Sequence, residues 1–158
     1  MIIINGESGS GKSTAALKII EKHKDSSLYI LMERDRRMAK ILSSDGFDYA
    51  VYGNGYLLDI KYRILERGGL MSNDLKYVVV DCLNMIKDGK SQLAKLYELE
   101  QIEKDFNLEV ILILNMLRVG NIKSAGGSEF EQFSAIKATG RYRFCRPEEI
   151  STLLQKEA

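Results

Sequence analysis

Two rhythms of apolar residues run through this chain. Unbroken apolar stretches, MIII, YVVV and VILIL, sit inside Met1–Asn5, Tyr77–Asp81 and Glu109–Asn115. Stretches that do not alternate with polar residues mark parallel strands covered on both faces. Leu28–Met32 and Thr139–Cys145 bring the predicted strands to five, with a weaker sixth at Phe47–Tyr52. Between them the spacing changes to three and four residues: Leu17 and Ile20, then Met38, Ile41 and Leu42, then Leu57, Ile60 and Ile64. The longest such run is Leu93, Leu96, Leu99, Ile102 and Phe106. Spacing of this kind turns one apolar stripe of a helix toward a core. Pro147 is placed to open a last helix carrying Ile150, Leu153 and Leu154. Strand and helix alternate throughout, which predicts an α/β fold: three layers, α/β/α, around a mainly parallel sheet.

The 158 residues amount to a single domain, 1–158. The 45% apolar fraction fills one core without disulfides or structural metal. Lys plus Arg number 23 and Asp plus Glu 22, a net charge of +1 that excludes a uniformly basic coat but permits a local basic face. Cys82 and Cys145 are far apart in sequence, and the single histidine, His23, cannot build the usual His/Cys zinc site. No apolar stretch approaches the roughly 20 residues of a membrane span, so no membrane partner is expected. With reduced cysteines and no signal-peptide core, the expected compartment is the cytoplasm.

The segment Gly6, Glu7, Ser8, Gly9, Ser10, Gly11, Lys12, Ser13 matches GxxxxGK[ST] in full, between a predicted strand and a predicted helix. Its glycines allow successive backbone N–H groups to turn toward one anion, at the positive end of the following helix. A nucleoside triphosphate such as ATP suits that geometry. Lys12 would reach the β- and γ-phosphates, Ser13 would ligate Mg²⁺, and Thr14 supplies the next hydroxyl. Asp81 closes a buried strand and could reach the same Mg²⁺ through water, or serve only as a turn or cap residue. Glu33 should stand at another strand's carboxyl end, poised to polarise an attacking water or merely part of the charge run Glu33–Arg37.

The order of these features resembles the RecA-like P-loop ATPase family, which includes the recombinases and the DnaB-type hexameric helicases. The resemblance covers about residues 1 to 146: GESGSGKST, LYILMERD, YVVVD, VILILNMLR and GGSEFEQFSAIKATGRYRF. It implies that Glu33 is the water-activating base, Asp81 the Mg²⁺-associated carboxylate and Asn115 a polar sensor near the γ-phosphate. Asparagine is shorter than the glutamine usual at that position. Only the ATPase core is expected here, in contrast to recombinases that carry added segments for filament assembly or DNA engagement.

The resemblance implies an ATP hydrolase coupled to single-stranded DNA in recombination or replication, assembled as a ring or filament of identical subunits. The glycine-containing loop Met116–Gly127 carries Arg118 and Lys123 and no carboxylate, which makes it the candidate nucleic-acid loop. Lys137–Arg146 is the most one-sided charge segment; Arg141 or Arg143, with Lys137 as the lesser candidate, is expected to reach a neighbouring subunit's γ-phosphate. In that strand Arg141, Arg143 and Cys145 should share the outer face and Tyr142 and Phe144 an apolar inner one. Two other classes remain open at this stage. A small-molecule P-loop kinase would use Arg34, Arg36 and Arg37 to grip an anionic acceptor. An ATP-gated protein-interaction module would turn over slowly.

Overall fold

In a computed structural model, residues 1–68, 74–115, 140 and 142–157 are described. Six strands form one sheet: β1 (Ile2–Gly6), β2 (Ser27–Leu31), β3 (Tyr49–Val51), β4 (Tyr77–Asp81), β5 (Glu109–Asn115) and β6 (Arg143–Cys145). Their order across the sheet is β3-β2-β4-β5-β1-β6, and every neighbouring pair is parallel. Among the described residues the α-helices are α1 (Lys12–Ile20), α2 (Arg36–Ser44), α3 (Leu57–Gly68), α4 (Gln92–Phe106) and α5 (Ile150–Glu157). A 3-10 turn, Pro147–Glu149, leads into α5, with the proline in its first turn as its fixed φ favours.

Parity along each strand divides the core into two layers. Ile3, Ile30, Val80 and Leu112 pack on one face with Ile60 and Ile64 of α3 and Leu96, Leu99 and Ile102 of α4. On the other face Ile4, Leu31, Val79, Ile111 and Ile113 meet Ala15, Ala16, Ile19 and Ile20 of α1, Met38 and Leu42 of α2 and Ile150 of α5. Ala15 and Ala16 face the sheet directly, and their short side chains let the α1 axis lie close to it. The N-cap side chains of α2 and α4 satisfy backbone N–H groups that lack helical partners: Asp35 accepts from Met38 N (3.0 Å) and Ser91 from Ala94 N (3.1 Å). Asn107, at φ 51°, ends α4 in the left-handed region that asparagine tolerates.

The register fixes the shape of the sheet's carboxyl edge. Val51, Leu31, Asp81, Ile113, Ile4 and Cys145 lie in one row across the six strands. On that row β2, β3, β4 and β6 end, while β1 and β5 continue two residues further, to the paired Gly6 and Asn115. The edge is therefore recessed at Asp81 by two residues, roughly 7 Å of strand rise.

One expectation is corrected. The edge strand β6 does not have a single apolar face: Tyr142 packs with the α3 and α4 layer and Cys145 with the α1, α2 and α5 layer. The reason is α5, whose Ile150 is fully buried in the layer that receives Cys145. Arg143, which shares that face, lies beside Ile2 at the amino edge of the sheet and pairs with Glu109 at 2.5 Å. Among the described residues no helix is long and apolar enough to cross a membrane.

The central strand β5 contacts both core layers, so truncation there should leave a cavity that its neighbours cannot fill. Leu112→Ala is expected to lower the unfolding free energy by about 2–5 kcal/mol, read as a reduced urea midpoint with an unchanged slope.

Candidate functional site

Above the recessed edge lies a cavity of about 410 Å³. Its walls come from the Gly6–Ser13 segment, from the turn between β2 and α2, from α2 itself and from the ends of β4 and β5. The segment runs from the end of β1 into α1. Gly9 and Gly11 hold φ of 78° and 88°, so a side chain at either would be strained, and Gly11 is the N-cap of α1. A Cβ at Gly6 would stand 2.6 Å from Ser10 Oγ, so the loop's own hydroxyl occupies the space that a side chain would need. Lys12 is buried and folds back to donate to the Glu7 carbonyl at 2.5 Å. Burial lowers the Lys12 pKa, an effect opposed by Cys82, Asp81 and Glu7.

Asp81 forms the floor. Its Oδ2 accepts from the Ser13 hydroxyl at 2.8 Å and from the Tyr29 hydroxyl at 2.7 Å. Tyr29 lies two residues before Leu31, the register partner of Asp81, so parity puts its ring on the same face of the sheet and directs its hydroxyl toward that carboxylate. Burial pushes the Asp81 pKa up; the two hydrogen bonds pull it down, and Asp35 raises it further. Glu33, two residues beyond β2, has its pKa raised by burial, then by Asp81 and Asp35. Carboxylate oxygens of Glu33 and Asp81 and the Cys82 sulfur lie within 4.8 Å of one another. Burial pushes the Cys82 thiol up to about 11, so it is protonated at neutral pH.

Asn115 occupies the far wall. Its backbone N–H donates to Asn84 Oδ1 (2.8 Å), its carbonyl accepts from Asn84 Nδ2 (3.2 Å), and its side-chain amide donates to Cys82 Sγ (3.4 Å). Asn84 belongs to the short 3-10 turn after β4, Leu83–Met85, so the ends of β4 and β5 are tied together just beyond Asp81.

No protein-family model and no curated protein matches this chain. The site therefore stands on its geometry. The sequence-expected residues Ser8, Gly9, Gly11, Lys12, Ser13 and Thr14 line this same cavity, together with Glu33, Asp81 and Asn115. Gly6, Glu7 and Ser10 shape the loop from behind. Arg143 is not brought to this edge within its own chain. Arg118, Lys123 and Arg141, with Lys137, lie outside the described residues. Arg37 is on the cavity wall beside Met38 and Ile41, whereas Lys40 is exposed and takes no part in the lining.

Sequence reasoning missed Tyr29 and Asn84. A tyrosine inside a fully buried strand must find a partner for its hydroxyl, and Asp81 on an adjacent strand could have been named on that ground. Asn84 carries no such signal.

The raised Asp81 pKa has a signed consequence. Between the ordinary aspartate value of 3.8 and its raised folded value, the folded chain binds more protons than the unfolded one, so stability falls as pH rises through that window. Asp81→Asn should flatten this segment of a urea-unfolding profile against pH. A profile as steep in the variant as in the wild type would show that Asp81 is not its source.

Proposed function

We propose that the chain is a Mg²⁺-dependent ATP hydrolase of RecA-like type, working on single-stranded nucleic acid in recombination or replication. The observation that carries this reading is the convergence on one recess of a glycine loop at a helix start, Lys12, the Ser13–Asp81 hydrogen bond and Glu33. The hydroxyl and carboxylate oxygens of Ser13 and Asp81 are hard donors suited to Mg²⁺, which takes few protein ligands and keeps waters and phosphate oxygens. Asp81 is also a carboxylate whose charge burial disfavours despite two hydrogen bonds, a condition that a bound cation relieves. The protonated Cys82 thiol is no ligand for so hard an ion. When bound, Mg²⁺ would neutralise charge on the β- and γ-phosphates.

The chain's own groups would do the rest. Backbone N–H groups of the loop would hold the phosphates, and Lys12 would exchange the Glu7 carbonyl for phosphate oxygens. Glu33, with its pKa raised toward the working pH, would accept a proton from the water attacking the γ-phosphorus as the bond to the β-phosphate oxygen breaks, giving ADP and phosphate. Asn115, fixed by Asn84, would sense the γ-phosphate. Assembly into a ring or filament, with strand contacts from Arg118 and Lys123 and a cation supplied in trans by Arg141 or Arg143, belongs to the same reading. A trans role for Arg143 would require it to leave Glu109. Arg37 on the cavity wall is the observation that favours a small-molecule phosphotransferase instead; release of free phosphate without any acceptor separates the two.

Lys12→Ala should abolish ATP binding and turnover. Glu33→Gln should bind ATP within about threefold of the wild type while hydrolysing it about 10²- to 10⁴-fold more slowly. Near-wild-type hydrolysis by Glu33→Gln would remove that residue from the mechanism. Phosphate release should rise with single-stranded DNA or RNA and lose that stimulation as salt increases.

A further inference from the structure

Tyr29 has no exposed surface and belongs to the core layer that contains Leu31, Val79 and Ile111. A phenylalanine would fill the same space without a polar atom to bury, so packing does not explain the hydroxyl. Its contact does: the hydroxyl donates to Asp81 Oδ2 at 2.7 Å, and Ser13 Oγ donates to the same oxygen at 2.8 Å. Each oxygen of a carboxylate has about two acceptor positions, so these two O–H donors fill Oδ2.

The other oxygen is left differently. Among the described residues Oδ1 accepts no hydrogen bond, yet it is not sealed off, because Asp81 lines the cavity. One oxygen is committed to the protein and one is left to the cavity. Ser13 is divided in the same way, since its single proton goes to Asp81 and its lone pairs stay available to a ligand.

This division sets what Asp81 can offer a cation. With Oδ2 filled, the carboxylate meets an ion, or an ion's water, through Oδ1 alone. Mg²⁺ asks for no more, because it keeps an octahedron of water and phosphate oxygens around one or two protein ligands. Ca²⁺ is larger, takes about six to eight oxygens and is often gripped by both oxygens of a carboxylate. Oxygens for such a cage are close by: those of Glu33 and Asp81 lie within 4.8 Å of one another. A Ca²⁺ ion that drew Glu33 into its shell would also occupy the group that accepts the proton of the attacking water.

We propose that Tyr29 is a positioning residue that selects the cation: by filling Asp81 Oδ2 it holds the carboxylate to one-oxygen ligation and favours Mg²⁺ over Ca²⁺. The proposal rests on the hydrolase reading for a cation at Ser13 and Asp81, and adds which ion that place accepts and which side chain decides it. Tyr29 acts through Asp81 and touches neither ion nor nucleotide.

The test uses Mn²⁺ as the probe, on the full chain without nucleotide. The electron paramagnetic resonance signal of free Mn²⁺ falls on binding, and Mg²⁺ and Ca²⁺ are titrated as competitors. Asp81→Asn should lose the bound Mn²⁺. In Tyr29→Phe, which keeps the ring, the preference for Mg²⁺ over Ca²⁺ should fall by about tenfold, the worth of one hydrogen bond to a charged group. A loss of packing alone would weaken both ions alike and leave their ratio as it was. An unchanged ratio therefore overturns the proposal, as does a wild type that holds no Mn²⁺ or prefers Ca²⁺. If Tyr29→Phe fails to fold, infrared difference spectra of the wild type against Asp81→Asn decide. With Ca²⁺ bound, the two carboxylate stretches of Asp81 should keep the wide separation of one-oxygen ligation; the narrow separation of two-oxygen ligation overturns the assignment. Phosphate release by the wild type is measured separately. Turnover with an unchanged ion ratio sinks the Tyr29 role and leaves the hydrolase reading, whereas Mn²⁺ held at Asp81 with the expected change in Tyr29→Phe but no turnover sinks the hydrolase reading and leaves this role standing.

Discussion

The hydrogen bonds that meet on Asp81 Oδ2 tie the start of α1 to the paired strands β2 and β4. Ser13 brings the start of α1, Tyr29 brings β2, and Asp81 itself closes β4. A carboxylate this deeply placed is tolerable only because donors surround it, and each donor fixes the position of the element that carries it. The α1 helix is thereby held with its first turn above the sheet edge rather than at some other point along its apolar stripe. The glycine loop is stretched between that fixed helix start and the end of β1.

The sheet determines where polar chemistry can occur. Strands β1, β2, β4 and β5 are covered on both faces, so side chains along their lengths are apolar or, like Tyr29, find a partner within the core, and the charged groups emerge at the ends. All-parallel pairing brings the carboxyl ends to the same side, which gathers Glu33, Asp81, Asn115 and the glycine loop although they are scattered over more than a hundred positions in sequence. Register then adds what pairing alone does not: β1 and β5 extend beyond β4, and the recess between them becomes the cavity.

Much of this was legible in the sequence, and the reason is the same constraint. Continuous apolar runs located β4 and β5 to the residue, because burial on both faces leaves no room for polar interruption. β1 and β2 shifted by a residue, since Ser27 and Gly6 are compatible with either strand or turn. The GxxxxGK[ST] match and the strand-end carboxylates located most of the cavity wall. What escaped were groups defined by contacts across the sheet: the Tyr29 bond depends on the pairing of β2 with β4, and the Asn84 clamp on the approach of a short turn to the end of β5. Local spacing carries neither. The charge of Lys137–Arg146 suggested an outward strand face, but the covering of Cys145 depends on where α5 folds back, which no pattern within β6 records.

The two-residue recess at Asp81 also implies an order of events. A floor enclosed by the glycine loop on one side and α2 on the other is reached from solvent through the mouth of the cavity. Whatever rests against Asp81 and Ser13 must enter before the mouth is filled and leave after it empties. If an ion at Asp81 and Ser13 and a larger ligand above it shared the cavity, its shape would make their exchange sequential.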